Sequence, residues 1–143
     1  MTRTPAALTV GDVMALEPIV IRADAPLGEA IQRLDECRIH GLPVVDAAGS
    51  LVGVLSQTDL LRLRSTEFLW DNRPALLVRH LMTSPAVTIR RSDPLADAAR
   101  KMERHRVHRL VVVADDDETL PIGVISTSDL VRAMAAEAAQ DGA

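Results

Sequence analysis

Two stretches of this chain gather residues that can do chemistry, Gly53-Val54-Leu55-Ser56-Gln57-Thr58-Asp59-Leu60 and Gly123-Val124-Ile125-Ser126-Thr127-Ser128-Asp129-Leu130. Each is a glycine and a short apolar run, then a serine with an aspartate three positions after it. The pattern predicts a buried strand turning into a helix start with polar groups gathered at the turn. A carboxylate there is a strong acceptor, and a helix N-terminus carries partial positive charge that suits an anion. The same Ser-x-x-Asp spacing is close to a capping box, with Asp in place of the usual Glu or Gln. Capping alone accounts for one isolated copy. Two matched copies favour ligand contact as well, and the two roles are compatible.

Other chemistry-bearing residues carry less. Cys37-x-x-His40 and His105-x-x-His108 have a metal-ligand look, but His40 and His108 occupy equivalent places in two separate halves, so they do not make one ligand set. Structural or phosphate-facing histidines are the expectation. Asp115-Asp116-Asp117-Glu118 reads as a solvated turn, with a weak cation site as the alternative. Arg100, Lys101, Arg104 and Arg106 form a basic helix face, by default solvated, with docking to an acidic partner as the other reading. Cys37 falls on an apolar helical face and is expected in the core. There is no nucleophile–base pair and no glycine-rich phosphate loop of the nucleotide-hydrolysing type, so no enzyme activity is expected.

The elements that must position the two stretches recur in the same order. In the first half, Thr9 is a possible N-cap before Val10 to Met14, and Pro18 to Ile21 reads as a strand. Pro26 opens a helix with Leu27, Ala30, Ile31 and Leu34 on one face, which Cys37 extends and Gly41 is expected to end. Leu42 to Val45 and Leu51 to Leu55 form a hairpin around a loop of Asp46 to Ser50. The next helix is expected to carry Leu60, Leu61 and Leu63 inward. In the second half, Leu81-Met82, Ala86 to Ile89, a helix with Leu95, Ala98, Ala99 and Met102 inward, and a hairpin with a longer loop from Ala114 to Leu120 follow suit. Each half is a β-α-β-β-α unit, too small to bury both faces of its sheet alone. The fold class is therefore α/β, two such repeats packed about a pseudo-two-fold axis. The bounds are residues 9–63 for the first repeat, 64–77 for a connector and 78–136 for the second.

The chain of 143 residues is 48% hydrophobic with a net charge of −4, which supports a sizeable core and gives no reason to expect nucleic acid. One cysteine fits a reducing compartment, and no run approaches the roughly 18 apolar residues of a membrane span. The start lacks the apolar core of a signal peptide, so the cytoplasm is expected. Phe68 and Trp70 are the only aromatics, and both lie in the connector.

The repeat order, the Val-Met openings, Leu42-Pro43-Val44-Val45-Asp46 and the two glycine-to-leucine stretches resemble cystathionine-β-synthase (CBS) domains. The two copies over about residues 9–136 are similar to a tandem CBS pair, or Bateman module. The resemblance implies clefts between the repeats that take an adenosine-containing ligand such as AMP, ADP, ATP or S-adenosylmethionine, without turnover and with no required cofactor or metal. It implies Asp59 and Asp129 for the ribose hydroxyls and Ser56 and Ser126 for phosphate, with Thr58 and Ser128 in the same motif. A carboxylate can accept both hydroxyls of a cis-diol, each bond contributing about 1.5–3 kcal/mol. His108 and Arg109 are implied near phosphate, whereas the first copy has His40-Gly41 and lacks the arginine. The second copy departs from the family at Val111, where a proline is usual. Adenine would lie among aliphatic residues, Ile21, Leu42 and Val54 in one site or Ile89, Leu110 and Val124 in the other. The implied partners are the small molecule, a second copy of the chain in a homodimer, and a separate effector protein. The alternative is a non-binding dimerisation or partner-docking module. Between the two sites, His108-Arg109 makes the one around Asp129 the stronger candidate for a phosphorylated ligand.

Overall fold

The computed structural model describes residues 7–16 and 19–141, with Leu16 in backbone only. Its elements are α1 (Val10–Val13), β1 (Ala15–Leu16), β2 (Ile21–Arg22), α2 (Leu27–Glu36), β3 (Gly41–Val45), β4 (Leu51–Ser56), α3 (Gln57–Ser65), α4 (Glu67–Asp71), a 3₁₀ turn (Arg73–Ala75), α5 (Val78–Leu81), β5 (Thr88–Arg90), α6 (Leu95–His105), β6 (Arg109–Ala114), β7 (Asp117–Ser126) and α7 (Thr127–Asp141). The α/β class and the repeated β-α-β-β-α order are present. The connector is part helical, as expected.

Contacts group the described residues into two compact units. One holds 7–16, 87–118 and 122–141, and the other holds 19–86 and 119–121. Each unit thus takes its leading helix from the other half of the sequence: α1 belongs with the second repeat's sheet, and α5 with the first's.

The unit built on the first sheet has strand order β2-β3-β4. Ile21 pairs with Val44 in parallel, and β3 runs antiparallel to β4 from Gly41↔Ser56 to Val45↔Leu51. The apolar runs are buried because α2, α3 and α5 cover them. Leu27, Ala30 and Leu34 of α2 meet Leu42, Val44, Leu55, Leu63, Val78 and Leu81 in one core. Each fully buried leucine contributes about 1.5–3 kcal/mol relative to an exposed one. The unit also has its own β-like edge segment, since Thr83 and Val54 exchange both backbone hydrogen bonds at 2.9 and 3.0 Å.

The other unit has strand order β1-β7-β6-β5. β1 lies antiparallel on β7 with Ala15 opposite Val124. Its core joins Val10 and Met14 to Ile89, Leu95, Ala98, Met102, Leu110, Val112, Ile125, Leu130 and Ala133. Thr9 precedes α1 and donates its N–H to Asp12 Oδ2 at 2.9 Å. Hydrogen bonds from the Thr9 backbone and side chain, with the Arg91 charge adding, outweigh burial and hold the Asp12 carboxyl below the usual carboxylate range.

Several local expectations change. The helix α2 ends at Glu36, not at Gly41, which begins β3. The reversal is made by Arg38 at φ 55°, and by Arg106 at φ 54° after α6. In both, the next residue reaches back to the helix, Ile39 N–H to Leu34 O at 3.2 Å and Val107 N–H to Met102 O at 3.0 Å, a Schellman ending. Because α2 stops early, Cys37 is exposed, not core. Leu61 is 70% exposed and Ala99 is also exposed; both sit on helix sides turned from their cores. The second hairpin loop is shorter than expected, since β7 already begins at Asp117. Two of its acidic residues have these partners: Asp115 Oδ1 accepts from the Ser92 N–H and Oγ at 3.1 and 2.9 Å, and Glu118 pairs with Arg90 at 2.6 Å. The first strand was expected from Pro18, and Pro18 itself lies outside the described residues.

Candidate functional site

Each Ser-x-x-Asp stretch lies where a strand hands over to a helix, and the local bonding is the same in both copies. Gly53 and Gly123 are required by close approach. A Cβ at Gly53 would lie 2.8 Å from Thr83 O, and one at Gly123 would lie 2.7 Å from Ala15 O. That approach fixes the strand end, and the serine follows three residues on. Ser56 N–H and Oγ donate to Asp59 Oδ2 at 2.8 and 3.1 Å, and Asp59 N–H returns a bond to Ser56 Oγ at 3.4 Å. Ser126 and Asp129 repeat this at 2.8, 3.0 and 3.3 Å. The first helical N–H is also engaged: Gln57 N–H meets His40 O at 3.1 Å, and Thr127 N–H meets His108 O at 2.9 Å.

The two carboxylates differ in their second oxygen. Asp59 Oδ1 accepts from Thr83 Oγ1 at 3.0 Å. Asp129 Oδ1 lies 3.3 Å from Arg132 Nη1, on an arginine that is 77% exposed. Asp59 is the one charged residue buried among those described, at 8% exposure, and Asp129 is half-buried. Burying a carboxylate without partners is costly, so this bonding is what makes both positions tenable. An ionised carboxylate held at a helix start by its own cap is a fixed acceptor, able to receive hydroxyl donors.

A profile of the CBS domain matches residues 10–66 and 78–136, twice and over most of the chain. The chain belongs to the CBS domain family. This CBS pair is 28% identical to an uncharacterised protein of Methanocaldococcus jannaschii, over 89% of the chain and 91% of that protein. It is 32% identical to a homoserine O-acetyltransferase of Methanocorpusculum labreanum over 86% of the chain, but spans only 23% of that enzyme. Among solved structures, CBSX2 of Arabidopsis thaliana in complex with AMP superposes with a TM-score of 0.75 at 34% identity, covering 89% of this chain and 96% of that one. The CBS pair of the protein MJ0100, solved with 5′-methylthioadenosine and S-adenosyl-L-methionine, has a TM-score of 0.81 at 24% identity, covering 92% and 98%. That second likeness concerns the fold.

Within the CBS pair, the expected site residues fall into groups. Ser56, Asp59 and the exposed Thr58 are together at the start of α3; Ser126, Asp129 and the exposed Ser128 are together at the start of α7. The serine hydroxyls are committed to their aspartates as both donor and acceptor. His108 is exposed and Arg109 half-buried at the start of β6, one residue apart and next in space to the α7 start through the His108 carbonyl. His40 is exposed and its Nδ1 lies 3.1 Å from Gln57 Oε1. Ile21 and Ile89 are 3% and 1% exposed, with their side chains in the cores of their units, as are Leu42 and Leu110. Val54 and Val124 are half-buried. No group of three or more potential metal ligands occurs among the described residues. No helix among them is long and apolar enough to cross a membrane.

Sequence reasoning passed over Thr83. Its contact with Asp59 spans 24 residues and depends on the pairing of Thr83 with Val54. The only signal available was its place directly after Met82, where the first repeat has Ala15 after Met14.

Proposed function

We propose that this CBS pair is a regulatory module that binds an adenosine-containing ligand without turning it over. The observation that carries this reading is the pair of matched aspartates, each held at a helix start by serine through bonds of about 3 Å. Their chemistry suits a ribose cis-diol, which offers two adjacent O–H donors to one charged acceptor. The likeness to a CBS pair solved with AMP, at 34% identity, points to the same class. Asp59 and Asp129 would take ribose, and Ser56 and Ser126 would hold them in place. Phosphate would meet the first turns of α3 and α7 around Thr58 and Ser128, aided in the second repeat by His108 and Arg109. With Ile21 and Ile89 buried, adenine would meet those strands through backbone and the half-buried Val54 and Val124.

Ligand binding alters output only if the ligand prefers one arrangement of the molecule. We place the module in the cytoplasm, as a homodimer that signals to a separate effector protein. Each unit has exposed apolar side chains, Leu61 on α3 at 70% in one and Val131 and Met134 on α7 at 63% each in the other, which support self-association. The same exposed residues favour a second reading, a dimerisation or docking module with sites that bind nothing.

Calorimetric titration with AMP separates the readings. Measurable binding to the wild type is expected, and Asp59→Ala or Asp129→Ala should each weaken one site about a hundredfold or more, as loss of two charge-assisted bonds requires. Unaltered affinity in both variants would rule out the ribose assignment, and no heat or thermal shift at millimolar AMP would favour the docking module.

A further inference from the structure

The two aspartates occupy equivalent positions, yet they have unequal acceptor capacity to offer a ligand. An ionised carboxylate has about four lone-pair positions. On Asp59 three are engaged inside the protein, two by Ser56 and one by Thr83 Oγ1 at 3.0 Å. Thr83 is held for this by its exchange of backbone bonds with Val54 at 2.9 and 3.0 Å. In the other unit Ala15 stands opposite Val124 as Thr83 stands opposite Val54. The methionine before each confirms the match: a Cβ at Gly53 or Gly123 would lie 3.0 Å from Met82 or Met14 Sδ respectively. The alanine side chain has no donor. Asp129 Oδ1 instead faces Arg132 at 3.3 Å, a solvated side chain that can swing aside at little cost. The matching arginine of the first repeat, Arg62, is turned to the Leu81 carbonyl at 3.0 Å.

We propose that Thr83 sets unequal occupancy of the two sites by holding Asp59 Oδ1, so that Asp129 is the preferred diol acceptor. This rests on the adenosine reading above and adds to it the residue that ranks the sites. A cis-diol needs two acceptor positions. At Asp59 it must displace the Thr83 hydroxyl or bind through one hydroxyl alone. The cost is about one charge-assisted hydrogen bond, or roughly tenfold in affinity. Thr83 is exposed and its side chain is not in the core, so replacing it leaves the fold intact.

The test is calorimetric titration with AMP and with 2′-deoxy-AMP, which lacks the diol. Asp129→Ala leaves only the Asp59 site to read, and Asp59→Ala leaves only the Asp129 site. In the first background, Thr83→Val should raise AMP affinity about tenfold and widen the preference for AMP over 2′-deoxy-AMP. Thr83→Ser, which restores the hydroxyl, should reverse both. In the second background, Ala15→Thr should lower AMP affinity by a similar factor. The proposal is overturned if Thr83→Val changes neither affinity nor the deoxy preference, or if the two single-site backgrounds bind AMP equally. Absence of AMP binding in the wild type and in Thr83→Val alike overturns the adenosine reading, and this proposal with it. AMP binding that ignores Thr83 overturns this proposal alone.

Discussion

At the scale of single residues, Ser56 and Ser126 have one job each that serves two ends. Each hydroxyl accepts the aspartate N–H and donates to the aspartate Oδ2, which caps the helix and aims the carboxylate. Ser56→Ala and Ser126→Ala should therefore each lower stability by about 1 kcal/mol, measured by urea unfolding. They should also weaken AMP binding at the matching site, an effect that a cap alone would not have. This double role is legible in the sequence, because serine and aspartate sit three apart within one turn and in two copies. Thr83 is not legible there. A hydroxyl that meets a carboxylate 24 residues away is set by strand pairing, and sequence spacing carries no trace of that. Cys37 misleads for a related reason: its place on the apolar stripe counts only while the helix lasts, and the helix stops one residue before it.

Individual elements follow hydrophobic periodicity closely in α2 and α6, where Leu27, Ala30 and Leu34, and Leu95, Ala98 and Met102, are buried as their spacing requires. The ends of those helices do not follow composition. Glycine is the usual residue for a left-handed turn, which made Gly41 the natural stop, but the chain turns three residues earlier on Arg38. Arg106 repeats the choice, and both side chains are exposed. A left-handed conformation costs an L-residue with a Cβ roughly 1–2 kcal/mol. Arg38→Gly and Arg106→Gly should thus each stabilise the protein by about 1 kcal/mol, seen as a rise of roughly 2–4 °C in Tm. No change, or a fall, would mean that the arginine side chains hold interactions worth the strain. The second hairpin shows the same limit on composition. Four acidic residues suggested a long solvated loop, yet Asp117 and Glu118 are in β7, and Arg90 and Ser92 neutralise or bond the cluster. Cross-strand partners decided the outcome there.

For the whole molecule, the informative feature is that compact units and sequence repeats do not coincide. The unit on the first sheet takes α5 and Thr83 from beyond the connector, and its core includes Val78 and Leu81. A fragment of residues 18–86 should therefore unfold cooperatively on heating, followed by circular dichroism. A fragment of residues 1–66 holds the whole first profile match but lacks Val78, Leu81 and the Thr83 edge. It should show no cooperative transition. The opposite ranking would mean that the repeats, and not the units, are the folding bodies.

The exchange of leading helices also fixes an order of events during synthesis. Residues 19–86 hold all the described residues of the unit on the first sheet except 119–121, and their core can close once the ribosome has released them. Ala15 cannot pair until Val124 exists, about 110 residues later, and at about 5–20 residues per second that is a wait of roughly 5–20 s. Until then the core that Leu8, Val10, Val13 and Met14 enter lacks Ile125, Leu130 and Ala133. The segment from Leu8 to Ala15 thus completes its packing only after the last strand and helix have been made, among the last parts of the chain to do so.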